Sequence, residues 1–230
     1  MEIVRVSNID IEVERKNIKH IHLAVYPPDG RVHISAPSFV TLENLQLYAI
    51  DHLPWIHQAI ARINKVNRQP ERIYVSGEDH YFLGRRYLLK VHEIGIAPTF
   101  KINGKYIHAY VKYDADREAI ATAMKEWYRG KLFHLLEDLI PKWEEKMNLK
   151  CSGFAIREMK TRWGSCNQRT HKILFNLELA KKPKACIEYV IVHELAHIVS
   201  KNHDSQFTEV LDKYYPQWEK YKKELNEFIV

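Results

Sequence analysis

The sequence predicts an α+β protein in two parts, a small β-rich domain over residues 1–114 and a helical domain with a short sheet over residues 115–230. Three observations predict it. Short β-branched and aromatic segments separated by turn signals fill the first half. From Asp114 onward the apolar residues recur at helical spacing. A return to strand-like pattern between residues 153 and 178 then interrupts the helices. At 230 residues, with 46% hydrophobic and 28% charged residues, the chain has enough apolar material for a sizeable core and is not a disordered one.

In chain order, strands are expected over residues 18–26, 32–36, 72–74 and 87–92, with turns at Pro27-Pro28-Asp29-Gly30 and at the hairpin-type pair Asn103-Gly104. One helix interrupts them. Thr41 is its N-cap, and Leu42, Leu45, Ala49, Leu53 and Ile56 recur at helical spacing up to Ile63, so that it packs across a small sheet. In the second half Ile120, Met124, Trp127, Leu132, Leu135, Leu136, Leu139 and Trp143 form a long apolar stripe, expected to break at Gly130 and Pro141. A strand pair, residues 153–159 and 172–178, is joined through a turn containing Arg162-Trp163-Gly164-Ser165-Cys166. Pro183 suits the first turn of a helix running to about Ser200, and a last helical stretch from about Ser205 is interrupted at Pro216.

The net charge of +6 and pI of about 9.0 divide evenly, with 15 basic against 12 acidic residues up to position 115 and 20 against 17 after it. Charge therefore nominates no nucleic-acid-binding half, and a mildly basic solvated surface accounts for it. No apolar run reaches the ~18 residues of a membrane span, and the amino terminus opens on a charged, strand-like segment. Cys151, Cys166 and Cys186 are odd in number and lack C-x-x-C spacing, which argues against a disulfide framework and a structural Cys-zinc site. The expected compartment is the cytoplasm.

Chemistry concentrates at His193-Glu194-Leu195-Ala196-His197. Inside a helix, His193 and His197 stand four residues apart on one face, one turn above the other, so both imidazoles can bind one ion. Glu194 projects about a quarter-turn away, placed to take a proton from water and badly placed to ligate. A catalytic zinc takes three protein ligands. His203, six residues past His197 and beyond the expected helix end, is the third candidate, with Glu209 and Glu219 as alternatives. The five-residue string can arise by chance, and a lone helical histidine is usually structural. Here, however, Ile187, Val190, Ile191 and Val192 lead into it, and such an apolar approach would bury Glu194 and two imidazoles without partners unless a metal were present. The spacing also fits metzincins, but that pattern wants Gly where Ser200 stands and a Met-containing turn downstream, whereas Met1, Met124, Met147 and Met159 all lie upstream.

Taken together, Arg162-Trp163-Gly164-Ser165-Cys166, the His193–His197 motif about thirty residues later, Asn202-His203-Asp204 and Phe207 resemble the YgjP-like metallopeptidase family, predicted metal-dependent hydrolases related to the WLM and SprT-like zincins. The resemblance extends over nearly the whole chain, including the Pro-Asp-Gly turn and Leu53-Pro54-Trp55-Ile56. It implies His193, His197 and His203 as metal ligands and Glu194 as base. Thr208 departs from the family, which often has Trp there.

Arg162-Trp163-Gly164-Ser165-Cys166 has its own physical reading. Gly164 allows a tight turn, Arg162 and Ser165 can hydrogen-bond an oxyanion or substrate carboxylate, and Trp163 can wall a pocket. Trp163 serves equally as a core anchor, and Arg162 as the partner of a helix acid. Zincins commonly bind an extended peptide along a sheet edge, expected here near residues 173–177. Cys166 and Cys186 read as buried small hydrophobes, and His20, His22, His33, His52, His57, His80, His92 and His108 as surface or structural residues. The expected reaction is metal-assisted attack of water on a peptide carbonyl, with one zinc per chain, or another divalent ion such as nickel, and Glu194 shuttling the proton. Two other partners stay open: a nucleoside triphosphate clamped by Arg157, Lys160, Arg162 and Arg169, and a nucleic acid targeted by the first half. A non-catalytic, metal-stabilised fold is the last alternative.

Overall fold

The structure is a computed structural model that describes residues 2–26, 29–65, 72–95 and 98–227. The chain divides into two compact units, residues 1–68 and 69–230. The fold is α+β throughout.

The first unit holds β1 (Glu2–Val6), β2 (Ile9–Lys16), β3 (His22–Tyr26) and β4 (Arg31–Pro37) in the order β1-β2-β4-β3, with β2 and β4 parallel and the other pairs antiparallel. Alternation selects one face for burial: Ile11 and Val13 on β2, then Val32, Ile34 and Ala36 on β4. Leu45 and Ala49 of α1 (Leu42–Asp51) complete that core. Thr41 caps α1 as expected, its hydroxyl accepting from the Asn44 N–H at 3.3 Å. The single helix expected here is two. α1 ends at Asp51, and α2 (Leu53–Lys65) restarts at Leu53-Pro54, where proline has no N–H to continue the preceding ladder. Pro27 and Pro28 of the expected turn lie outside the described residues; Gly30 beside them has φ +75° and donates its N–H to the Tyr26 carbonyl at 3.0 Å.

In the second unit, β5 (Asp79–Phe82), β6 (Arg85–Glu93), β7 (Thr99–Asn103) and β8 (Tyr106–Val111) form a sheet in the order β5-β6-β8-β7. Residues 72–74 are not a strand. The N–H groups of Ile73 and Tyr74 donate to the Glu78 carboxylate instead of to a neighbouring chain. The β7–β8 turn falls one residue later than expected, at Gly104-Lys105. Leu89, Ile107, Ala109 and Val111 share one core with Ile120, Met124 and Tyr128 of α3 (Arg117–Met147). The change from strand to helix near Asp114 thus falls inside the second unit.

α3 runs unbroken for 31 residues through Gly130 and Pro141. Buried Leu132, Leu136, Leu139, Ile140, Trp143 and Met147 flank both positions, and their packing outweighs the ~3 kcal/mol that an interior proline costs. Three short strands follow: β9 (Gly153–Arg157), β10 (Gly164–Cys166) and β11 (Lys172–Asn176), in the order β10-β11-β9. The expected turn at residues 162–166 is therefore partly an edge strand, and the 173–177 segment expected to accept a peptide is mostly the central strand, already paired on both sides. After a 3₁₀ turn (Leu177–Lys181) come α4 (Lys184–Ala196), α5 (Ser205–Tyr214) and α6 (Trp218–Glu227). Nine residues of α4 are buried, the signature of a helix apolar on all sides, and it packs against α3, α5, α6 and β10. Among the described residues no helix is long and apolar enough to cross a membrane.

Candidate functional site

Two constraints place the first two histidines. Their spacing stacks them on one side of α4, and the helix ends at Ala196 with His197 as its C-cap, so both rings emerge where the buried helix opens to a pocket. After His197 the chain turns back. Ser200 donates its hydroxyl to the Asp204 carboxylate at 2.8 Å, and Asp204 caps α5 by accepting from the Phe207 N–H at 3.0 Å. That short clasp carries His203 to His193, with 3.2 Å between their Nε2 atoms. Ring centroids of the three histidines lie 4.9–5.1 Å apart, and Phe207 lies against all of them at 4.6–4.9 Å.

The donor chemistry fits a metal ion. One ligand atom from each of His193, His197 and His203 falls within 4.8 Å of the others, the arrangement of residues that could hold a cation. His197 donates Nδ1–H to the Ser200 carbonyl at 3.1 Å, which leaves its Nε2 lone pair free. Burial and the neighbouring rings push His193 down to about 3, so it is a neutral imidazole with a lone pair at ordinary pH. At 3.2 Å the Nε2 atoms of His193 and His203 are close enough to share a proton or a cation. The separation also approaches the ~3.3 Å edge of a tetrahedral site with Zn–N of about 2.05 Å. Glu209 and Glu219, the alternative third ligands, are not among the converging groups.

Glu194 is 4% exposed, and its Oε2 has no hydrogen-bond partner among the described residues. Burial raises its carboxyl to about 8, and the Arg162 charge opposes the rise. Gly164 of β10 lies directly against it: a Cβ there would stand 2.6 Å from Glu194 Oε1. The glycine is thus needed for close approach, not for the tight turn expected of it, since Gly164 has no left-handed φ.

Arg162, Trp163 and Ser165 all line the pocket, of about 610 Å³, together with the histidines and Glu194. Trp163 fills both roles considered for it, packing on the core while forming wall, with Lys182 Nζ 5.0 Å from its ring centroid. Of the four cations expected to clamp a triphosphate only Arg162 reaches the pocket; Arg157, Lys160 and Arg169 do not line it. Cys166 does line it, but burial raises its thiol to about 11, which keeps it protonated. His92 and His108 meet at 2.9 Å on the β6–β8 sheet, and no third ligand joins them among the described residues.

Sequence reasoning missed Lys201, Lys222, Gln168 and Tyr189, which also line the pocket. It missed Asn176 too, a buried amide that donates to the Met159 and Arg162 carbonyls at 2.9 and 2.8 Å and accepts from the N–H of Glu178, so that it fixes the approach to β10. An asparagine closing the apolar run Ile173-Leu174-Phe175 was the signal.

No curated protein sequence matches the chain. Among solved structures it is similar to the metallopeptidase zymogen of Pyrococcus abyssi abylysin, with a TM-score of 0.37 and 19% identity over 39% of this chain and 90% of that one. It is also similar to the metallopeptidase zymogen of Methanocaldococcus jannaschii jannalysin, with a TM-score of 0.36 and 22% identity over 39% and 92%. Residues 19–228 match the family described as "YgjP-like, metallopeptidase domain", and the chain belongs to that family, as the motifs around His193 and Arg162 led one to expect.

Proposed function

We propose that the chain is a zinc-dependent peptidase in which His193, His197 and His203 hold one metal ion and Glu194 is the general base. The observation that carries the reading is the convergence of three imidazoles beside a buried carboxylate whose Oε2 has no partner among the described residues. When bound, zinc would polarise the scissile carbonyl and acidify water at the site.

The chain's own groups do the rest. Glu194, raised toward neutrality by burial, takes a proton from the attacking water and returns it to the leaving amine. No other group among the described residues bonds its Oε2. An extended peptide adds to the unpaired edge of β10, the terminal strand of its sheet, which runs beside Glu194 at Gly164. Arg162 and Ser165 donate to the substrate and Trp163 walls the cleft. Phe207, packed on the imidazoles, and the Ser200 carbonyl on His197 Nδ1 hold the ligands in orientation.

Metal content and hydrolysis measured together, on wild type and Glu194→Gln, test the reading against unfolded proteins, peptides and nucleoside triphosphates. One zinc per chain in both proteins, with peptide hydrolysis in wild type alone, is expected. Absence of metal from both, or undiminished hydrolysis by the variant, would overturn it.

A further inference from the structure

The even charge of the sequence conceals an uneven pocket. Arg162 from the loop before β10, Lys201 from the loop after α4 and Lys222 from α6 all line it, and among the described residues the only carboxylate in the lining is Glu194. Arg162 and Lys201 have no acid within ion-pair distance among the described residues, and Lys222 lies over the Trp218 ring at 5.4 Å. Lys222, Leu225 and Asn226 stand at i, i+3 and i+4, so one face of α6 presents them together. Three segments distant in sequence thus bring three cations to one cavity, against one buried carboxylate among the described residues. Trp163, Val190 and Leu225 supply apolar walls that concentrate its field.

The field reaches the reacting groups. Arg162 and Lys222 line the cavity together with His193 and Glu194. A divalent ion at the histidines would add charge of the same sign.

We infer that this pocket selects peptide segments carrying an acidic side chain next to the scissile bond, with Arg162, Lys201 and Lys222 as the recognising cations. The inference rests on the peptidase reading and names its substrate class. A basic segment entering the same cleft meets repulsion, so the selection has an attractive and a repulsive part.

The test uses the full chain loaded with zinc and three fluorescent peptides of one frame that carry Glu, Ser or Lys beside the same central bond. Binding is read with Glu194→Gln, where turnover cannot intrude, and cleavage with wild type. At low salt the Glu peptide should bind about tenfold tighter than the Ser peptide, the Lys peptide weakest, with the spread narrowing as salt is raised. Wild-type kcat/KM should follow the same order. Lys201→Glu combined with Lys222→Glu, both exposed positions, should reverse the order, and Lys222→Ala alone should narrow it. Equal affinities, or an acidic preference that survives the double reversal, would overturn the inference while leaving a peptidase that cleaves all three. Cleavage of none of them, with hydrolysis of nucleoside triphosphates instead, would remove the peptidase reading and this inference with it.

Discussion

Gly164→Ala puts the smallest possible addition at the tightest point of the site. The new Cβ would stand 2.6 Å from Glu194 Oε1 and 2.8 Å from both Cδ and Cγ, where carbon contacts settle at about 3.5–4.0 Å. One side must give by about 1 Å. β10 is held to β11 over Gly164–Cys166, so the carboxylate at the end of the Glu194 side chain is the part that moves. A catalytic group misplaced by about 1 Å loses about 10²-fold, or about 2.7 kcal/mol of barrier. The strand itself accepts alanine, because Gly164 has no left-handed φ, and the histidines are not among the atoms the methyl meets. Peptide kcat/KM should therefore fall about 10²-fold with zinc content and secondary structure retained. In a Glu194→Gln background the same substitution should cost little more, since the two act on one group. Wild-type kcat/KM in Gly164→Ala, or a full additional loss in the Glu194→Gln background, would refute the argument that Gly164 makes room for the base.

Three further outcomes follow from the same geometry. Glu194 titrates at about 8 when folded against an ordinary 4.5, so between those values the folded chain holds a proton the unfolded chain has released. Stability of the metal-free protein should then fall as pH rises, by up to about 1.4 kcal/mol per pH unit. His193, held down at about 3 against 6.5, works the opposite way below pH 6.5, so the Glu194 loss emerges between pH 6.5 and 8. Urea melts in chelator should show Glu194→Gln without that decline; equal slopes would mean that Glu194 is ionised in the folded chain. Asn176→Ala should destabilise by about 2–3 kcal/mol, because it orphans the Met159 and Arg162 carbonyls, and should lower kcat/KM; denaturant midpoints within error of wild type would contradict this. Asp204→Ala removes the α5 cap and the Ser200 clasp, so zinc affinity should drop about tenfold or more and stability by about 1 kcal/mol, read by competition with a chromogenic chelator; unchanged affinity would show that His203 is positioned without the clasp.

What the sequence made legible was whatever depends on spacing along one element. His193 and His197 share a face because a helix turns every 3.6 residues, and Thr41 caps α1 because its hydroxyl reaches the N–H three residues on. The rest depends on partners far away in the chain. Gly164 looks like a turn residue until Glu194 is beside it, and Lys201 and Lys222 are two among 35 basic residues until one pocket collects them. β10 is three residues long, below what alternation can reveal, and Pro141 reads as a break because what the buried residues of α3 pack against comes from other elements. The expected division near Asp114 followed a real change in local pattern, yet the sheet before it and α3 after it bury one common core.

The two kinds of information divide the chemistry in the same way. The proposed ligands come mainly from one helix and the loop that follows it, so a change at His193 or His197 acts on the metal directly. The proposed base is different, because its environment comes from β10 and Arg162, some thirty residues earlier. A variant of that earlier segment should therefore alter turnover while sparing the metal. Separating zinc content from kcat/KM across Arg162→Ala, Gly164→Ala and His203→Ala would expose that division: the first two should keep the ion and lose rate, and the third should lose both.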